Sequence, residues 1–183
     1  MKKYLILAAV VVIVIIAAAI SKTGETSKTE FLLDTVGKIT VKGNYAEDVD
    51  KAFERIKEIE GRMSSHISTS DVVTGTLNID TAYVISKGLG YGKISDGLFD
   101  ITIKPVCKLW DIGGENQRIP AQEEIDSVLP LVNYKKVSFS KDNVVMEQGM
   151  ELELGAIAKG YAADEACRIL KEAGVKDGII DLG

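Results

Sequence analysis

The residues best suited to chemistry lie between Glu151 and Asp164, in the stretch ELELGAIAKGYAAD. An alternating apolar pattern runs through Gly155 into a helical pattern that carries Lys159 one turn in. A strand, a glycine turn and a helix N-terminus present backbone N–H groups and the positive end of the helix dipole, so this order of elements suits a phosphate. The alternative is structural, because a glycine at such a junction can simply permit close packing while the lysine is solvated. The stretch lacks the glycine count of a Rossmann fingerprint and the Gly-Lys-Ser/Thr of a P-loop.

Two carboxylates, Asp100 and Glu153, interrupt apolar stretches of the sequence. A carboxylate is costly to bury without hydrogen bonds, so we expect Asp100 to accept bonds from a backbone turn or from a ligand. Glu153 either faces solvent from an alternating strand or lies beside the phosphate-like turn. If both acids and the turn converge, a divalent cation beside a diphosphate is expected, since Mg²⁺ prefers oxygen ligands.

Composition and charge argue against several classes of function. The net charge of −5 arises from 27 acidic and 22 basic residues, and no basic block is longer than a pair, which disfavours a nucleic-acid partner. Cys107 and Cys167 are too few for a disulfide framework and match no metal-site spacing. The only histidine, His66, cannot build a histidine-based metal site alone. It follows the first predicted helix either as a plain helix exit or as a site residue.

The N-terminal sequence is typical of an export signal. Lys2 and Lys3 precede an uninterrupted apolar run from Tyr4 to Ile20, which reaches roughly 25 Å as a helix. This length is short for a bilayer span and long for a signal peptide, so residues 1–20 are either a cleaved signal peptide or a membrane anchor, and the length favours the anchor. The rest would lie on the extracytoplasmic face of the cell membrane, after a polar linker over residues 21–30.

The elements that would position these residues follow from periodicity and turn signals. The predicted strands cover residues 31–42, 135–139, 143–147, 151–154 and 178–182, with an extended or turning segment over 97–106. The predicted helices are 46–63, a second one capped by Asp80 and frayed by Gly88, Gly90 and Gly92, a third opened by Pro120, and 156–172 closed by Gly174. This order indicates an α+β fold of mixed or antiparallel sheet layers with packed helices, preceded by one N-terminal hydrophobic helix.

Four segments together resemble the ApbE family, the FAD:protein FMN transferases once described as thiamine-biosynthesis lipoproteins. The Asp-Gly-x-Phe-Asp and Gly-x-Ile-Ala-Lys-Gly-Tyr patterns are specific as a pair, and the order and spacing match over residues 31–183. The segments are Leu33-Asp34-Thr35; Met63-Ser64-Ser65-His66 followed by Ser70-Asp71; Asp96 to Thr102 with Pro105 and Leu109-Trp110; and Glu153 to Asp164. The resemblance implies a T-fold-type α+β domain.

The resemblance also implies an enzyme that binds FAD, uses Mg²⁺ and transfers FMN onto a Ser or Thr hydroxyl of a partner flavoprotein subunit, with release of AMP. In chemical terms a hydroxyl attacks the flavin-side phosphorus of a diphosphate, which requires neutralised phosphate charge and a nucleophile held in line. Two alternatives stay open. One is an inactive or truncated extracytoplasmic FAD-binding module, and the other is a structural domain that binds no flavin.

The residues that the resemblance implies to contact FAD come from four separate segments: Leu33, His66, Leu98, Phe99, Asp100, Glu153 and Lys159. The first two would border the FAD, and the next three would contact its adenine or ribose. Glu153 and Lys159 would lie beside the flavin and the phosphates and are the expected catalytic residues. Ala156 would offer its backbone carbonyl to Mg²⁺.

The sequence departs from the family pattern at three of these positions and at its end. Leu33 stands where methionine is frequent, His66 where an aromatic residue is frequent, and Glu153 where aspartate is more usual. The family also continues past Gly183 into further strands and a late Asp/Thr motif that supplies the remaining metal ligands. We therefore expect residues 31–183 to be the N-terminal part of such a domain, with an incomplete Mg²⁺ site.

Overall fold

The computed structural model describes residues 24–111, 114–140 and 142–183. The predicted N-terminal hydrophobic segment, residues 1–20, lies outside these ranges. Within them, no helix combines the length and the apolar character needed to cross a membrane. The described residues divide into two compact units, one of residues 24–57 and 162–183 and one of residues 58–161.

Helices and short antiparallel strands make up the described structure. In chain order the strands are β1 (Glu25–Leu32), β2 (Thr35–Lys42), β3 (Ser138–Ser140), β4 (Asn143–Val145) and β5 (Gly178–Asp181). The α-helices are α1 (Ala46–Met63), α2 (Asp71–Thr74), α3 (Ile79–Ile94), α4 (Lys104–Trp110), α5 (Gln122–Val128) and α6 (Gly155–Glu172), and short 3-10 helices cover Leu129–Leu131 and Tyr134–Lys136. Both sheets, β1-β2-β5 and β3-β4, are antiparallel. The predicted α+β class is confirmed.

The sheet of the first unit begins with a hairpin that the sequence patterns did not predict. Leu33 and Asp34 form its two-residue turn, with φ of 52° and 56°, the left-handed values that suit the twist of a tight hairpin. The prediction of one strand over 31–42 is therefore wrong. Residues 25–30, which we expected to be linker, belong to β1. That strand is largely polar and carries no run of apolar residues, so periodicity did not reveal it.

The core of the first unit is built from the apolar faces of α1 and α6 and from strand β2. The buried side chains include Ile39, Val41, Val49, Phe53, Ile56, Ala166 and Leu170. Helix α1 has the bounds that its three- and four-residue apolar spacing predicted. Arg55 of α1 pairs with Glu165 of α6 at 3.0 Å within this unit. Gly174 follows α6 with φ of 92°, the left-handed conformation expected of a terminating glycine.

Helix α3 of the second unit differs from its prediction at both ends. Asn78, not Asp80, caps it, because the Asn78 Oδ1 accepts a hydrogen bond from the Thr81 N–H at 2.9 Å. The helix does not fray at its glycines and continues to Ile94. Gly88 is buried, and a Cβ atom there would lie 2.6 Å from the Ile101 Cγ2. The glycine therefore serves close packing of the helix.

The segments that carry the two predicted carboxylates are less regular than expected. Residues 151–154 form no strand and contribute a single parallel bridge, between Ile103 and Glu151. The Glu153 N–H donates to the Ile101 carbonyl at 2.7 Å. The extended segment predicted over 97–106 gives way to helix α4 at Lys104, because Pro105 is preorganised for a first helical turn.

Candidate functional site

Three side chains from distant parts of the sequence form a hydrogen-bonded cluster in the second unit. Glu153 Oε2 accepts bonds from the Ser65 hydroxyl at 2.6 Å and from the Lys104 ammonium at 3.0 Å. Lys104 also donates to the Ser65 Oγ at 2.7 Å. The Lys104 side chain is 7% exposed and that of Glu153 is 22% exposed, so the ion pair is largely removed from water. Pairing offsets the cost of burying both charges.

Each member of the cluster is placed by the end of a helix. Ser65 follows the C-terminus of α1, and Lys104 is the first residue of α4. Glu153 lies just before α6, where its Oε1 accepts a hydrogen bond from the Gly155 N–H at 3.0 Å. A carboxylate at this position accepts a hydrogen bond from a backbone donor that would otherwise be unpaired. Its negative charge is also stabilised by the positive end of the helix dipole.

The hydrogen bonds keep Glu153 ionised. Burial raises the pKa of this carboxyl, but the bonds from Ser65, Lys104 and the Gly155 N–H oppose that effect and hold the pKa below its ordinary value. Glu153 therefore acts only as a hydrogen-bond acceptor near neutral pH. In contrast, burial and the nearby Glu153 charge raise the pKa of the Cys107 thiol, so this thiol stays protonated and is a poor nucleophile.

His66 is the second predicted site residue that the structure brings to this cluster. Its Nε2 lies 3.4 Å from the Lys104 Nζ, and the residue is exposed. Lysine can only donate, so this contact suits the tautomer in which Nε2 accepts. The histidine thus shares Lys104 with Glu153, and its contact with FAD stays a prediction.

Asp100 has a different set of partners. Its Oδ1 accepts from the Thr102 N–H at 2.8 Å and from the Thr102 hydroxyl at 2.6 Å, and its Oδ2 accepts from the Tyr134 N–H at 2.8 Å. These bonds fulfil the expectation that an acid in this apolar run accepts hydrogen bonds, and they are the backbone alternative. The FAD contact of Asp100 stays a prediction.

The neighbours of Asp100 offer apolar surface. Leu98 is 95% exposed, directly after Gly97, whose φ is 85°. Phe99 is half-buried and meets the Tyr91 ring edge-on, with 5.9 Å between ring centroids. The segment therefore exposes an apolar side chain next to an aromatic pair in the sequence, and its contact with adenine stays a prediction.

The remaining predicted residues lie at the start of α6 and in the first unit. Ala156 is exposed in the first turn of α6, and Lys159 is half-buried one turn after Gly155, on the same helix face. Lys159 makes no ion pair with any residue of the described ranges. Leu33 belongs to the first unit, where its left-handed backbone costs about 1–2 kcal/mol.

A cavity of about 440 Å³ adjoins the cluster within the second unit. Its lining includes polar residues such as Ser65, Lys104 and Glu151 and apolar residues such as Val72 and Met150. Across the part of the chain that the structure describes, no three His, Cys, Asp or Glu side chains gather into a potential metal site.

Sequence reasoning missed Lys104 and gave Ser65 no role of its own. A signal for Lys104 was present, because it interrupts the apolar run between Ile103 and Val106, as Asp100 does a few residues earlier. A lysine in such a run is rarely buried unless it is paired. Its partner Glu153 lies 49 positions away, so local pattern could not identify the pair.

Solved structures define the class of protein to which this fold belongs. The ApbE protein of Thermotoga maritima is 28% identical with a TM-score of 0.78, over 85% of this chain and 56% of that one. The flavin transferase ApbE of Vibrio cholerae has a TM-score of 0.78 over 87% of this chain and 57% of its own, at 16% identity, which supports the fold alone. The architecture is that of ApbE structures.

Sequence comparison gives the family. Residues 33–183 match the sequence model of the ApbE family, and the chain belongs to that family. The FAD:protein FMN transferase of Klebsiella pneumoniae is 38% identical over 93 residues, 49% of this chain and 29% of the relative. That of Haemophilus influenzae is 22% identical over 183 residues, 90% of this chain and 52% of the relative. The chain thus spans about half the length of these relatives or less. The resemblance inferred from the motifs is confirmed.

Proposed function

We propose that this protein is an FAD:protein FMN transferase that moves FMN from FAD to a Ser or Thr hydroxyl of a partner flavoprotein and releases AMP. The observation that carries the proposal is the match of residues 33–183 to the ApbE family. Two features support it: the ionised Glu153 at the N-terminus of α6, and the Lys159 ammonium, which makes no ion pair with the described residues. FAD carries both hydrogen-bond donors and a diphosphate.

The reaction requires an in-line exchange at phosphorus. The acceptor hydroxyl oxygen bonds to the flavin-side phosphorus, the bond from that phosphorus to the bridging oxygen breaks, and AMP leaves with the bridging oxygen while the hydroxyl proton passes to solvent. The positive end of the α6 dipole and the Lys159 ammonium attract the diphosphate. Glu153 accepts a hydrogen bond from the flavin nucleotide and orients it.

The other predicted FAD contacts are part of the proposal. In the second unit, Leu98 and Phe99 offer apolar surface to the adenine, while Asp100 holds their loop and His66 borders the ligand. Leu33, in the first unit, is proposed as an FAD contact from the family resemblance.

Mg²⁺ dependence is proposed with the transfer. The exposure of Ala156 in the first turn of α6 supports its carbonyl as one ligand of a cation held mainly by phosphate oxygens and water. A carbonyl keeps a second lone pair within a helix. Such a cation neutralises phosphate charge.

We also propose that the N-terminal segment attaches the protein to the cell membrane, with the catalytic part on the extracytoplasmic face. The apolar run from Tyr4 to Ile20 after two lysines supports this location. The partner would be a flavoprotein subunit that exposes the target hydroxyl on the same side.

The test incubates the full chain with FAD, Mg²⁺ and a flavoprotein acceptor. We expect flavin fluorescence that stays on the acceptor through denaturing electrophoresis, together with stoichiometric AMP, because the transfer is covalent. EDTA should abolish both signals and added Mg²⁺ should restore them. An acceptor with its target hydroxyl residue changed to alanine is the control. FAD binding without transfer to a competent acceptor would indicate a flavin-binding module instead of a transferase. A chain that neither binds FAD nor transfers FMN would contradict both functions.

A further inference from the structure

Lys104 is a buried cation to which none of the roles above assigns a purpose. Among the residues that the structure describes, it is the only ionisable one in the fully buried class, at 6% exposure. A buried ammonium without a function would be a costly choice compared with an apolar side chain of similar size. Its contacts indicate what it does.

The hydrogen bonds fix the carboxylate of Glu153 in one orientation. A carboxylate oxygen accepts about two hydrogen bonds. Both positions on Oε2 are taken, by the Ser65 hydroxyl at 2.6 Å and the Lys104 ammonium at 3.0 Å. On Oε1, the Gly155 N–H takes one position at 3.0 Å. Among the described residues no further donor reaches Oε1, so one acceptor position is left there, at the start of α6.

Lys104 supports this orientation both directly and through Ser65. Its ammonium has three N–H groups, and these face Glu153 Oε2, Ser65 Oγ at 2.7 Å and His66 Nε2 at 3.4 Å. The Ser65 hydroxyl accepts from Lys104 and so directs its own proton to Glu153. Removal of the ammonium would take one contact from the serine hydroxyl, the histidine ring and the carboxylate at once.

We propose that Lys104 is a positioning residue for the transferase site, which keeps Glu153 turned so that Oε1 offers one acceptor position to an N–H or O–H group of the flavin nucleotide. The proposal rests on the proposed function. Lys104 acts through Glu153, and the Ser65 hydroxyl supports the same carboxylate oxygen.

The test compares Lys104→Met, Lys104→Arg and the matched control Lys108→Met in the full chain. Lys108 lies one turn further along α4, is exposed and pairs with Glu151 at the surface. FAD affinity is measured by quenching of flavin fluorescence, and KM and kcat by covalent transfer to the acceptor. We expect K104M to weaken FAD binding by about 10- to 100-fold, as for partners that orient ligating groups. K104R should recover most of the affinity, and K108M should stay within about twofold of the parent.

A double-mutant cycle with Glu153→Gln separates positioning from a general structural role. If Lys104 acts through Glu153, then K104M in the E153Q background should change FAD affinity by no more than about twofold. Independent, additive losses overturn the proposal. So does a K104M protein with a lower melting temperature but unchanged FAD affinity and KM.

A second variant covers the case in which K104M does not fold. Ser65→Ala removes one bond to Oε2 but leaves the Lys104–Glu153 pair intact, so it should fold and should weaken FAD binding in the same direction, by a smaller factor. Unchanged FAD affinity in S65A overturns the proposal in that case. A parent chain that neither binds FAD nor transfers FMN overturns the proposed function together with this inference. A parent that does both, with K104M indistinguishable from K108M, overturns the inference alone.

Discussion

At the residue scale, Asp100 and Glu153 are carboxylates of the same unit with different roles. The Asp100 carboxylate accepts hydrogen bonds from Thr102 and from the Tyr134 N–H. These bonds hold the loop that carries Phe99. Glu153 keeps an acceptor position next to Gly155. The bonds of Asp100 therefore stabilise the loop around it, whereas the bonds of Glu153 to the described residues leave one acceptor position of Oε1 open.

The bonds of Asp100 predict a large effect of a conservative change. Asp100→Asn keeps the shape but turns one acceptor into a donor that faces Thr102 or the Tyr134 N–H. We expect the free energy of unfolding, measured in urea, to fall by about 1–3 kcal/mol. Asp96→Asn is the control, because Asp96 is exposed and asparagine tolerates its left-handed φ of 52°. Its effect should stay within about 0.5 kcal/mol, and equal effects of the two changes would contradict the structural role of Asp100.

At the element scale, helix α3 depends on glycine for packing and not for termination. The buried Gly88 lets the Ile101 side chain approach the helix, and Gly92 does the same for the Tyr134 ring, 2.9 Å from where a Cβ would be. The first contact brings α3 against the loop that holds Asp100 and Thr102, and the second brings it against Tyr134, whose N–H binds Asp100. The helix thereby supports the same loop that Asp100 ties together.

Two glycine substitutions in α3 should therefore have opposite signs. Gly88→Ala places a methyl group against Ile101, and we expect a loss of about 1–3 kcal/mol of unfolding free energy from overpacking. Gly90→Ala meets nothing within 4 Å and should gain up to about 1 kcal/mol from helix propensity. Thermal or urea unfolding measures both. A stabilised Gly88→Ala protein would show that α3 does not pack on Ile101 in this way.

At the scale of the whole molecule, paired carboxylates in both units make stability depend on pH. Hydrogen bonds from Lys28 lower the pKa of Glu30, and those from Arg168 lower the pKa of Glu165. Burial raises the pKa of Glu153, but the hydrogen bonds of its cluster outweigh that effect and lower it. A group whose folded pKa lies below its unfolded value stabilises the fold above the unfolded pKa. That contribution disappears as pH falls through the folded pKa.

We therefore expect the melting temperature to fall progressively once the pH drops below the ordinary glutamate value of 4.5. Melting followed by circular dichroism across that range measures the effect. Glu165→Gln should make the pH dependence shallower, whereas the control Glu123→Gln, at an exposed position that makes no ion pair with the described residues, should leave the slope unchanged. A melting temperature that is constant or rises on acidification would contradict the contribution of these pairs.

The sequence by itself determined what short-range physics encodes. The apolar spacing of α1, the glycine after α6 and the motifs around Asp100 and Glu153 each lie within a few residues of one another, and they were enough for the α+β class and the family. The hairpin turn at Leu33 was not predicted because β1 is largely polar. Pairing with β2, not the composition of β1, makes this segment a strand.

The tertiary structure alone decided which donors each buried charge receives. Ser65, Lys104 and Glu153 are separated by up to 88 positions, and only the packing of three helix ends brings them within hydrogen-bond distance. From sequence, Gly88 was interpreted as a residue that frays the helix, whereas the structure shows that it allows Ile101 to pack against the helix. The physical reason is that helix periodicity and caps depend on neighbours in sequence, whereas a buried charge is stabilised by whichever partners the folded chain places beside it.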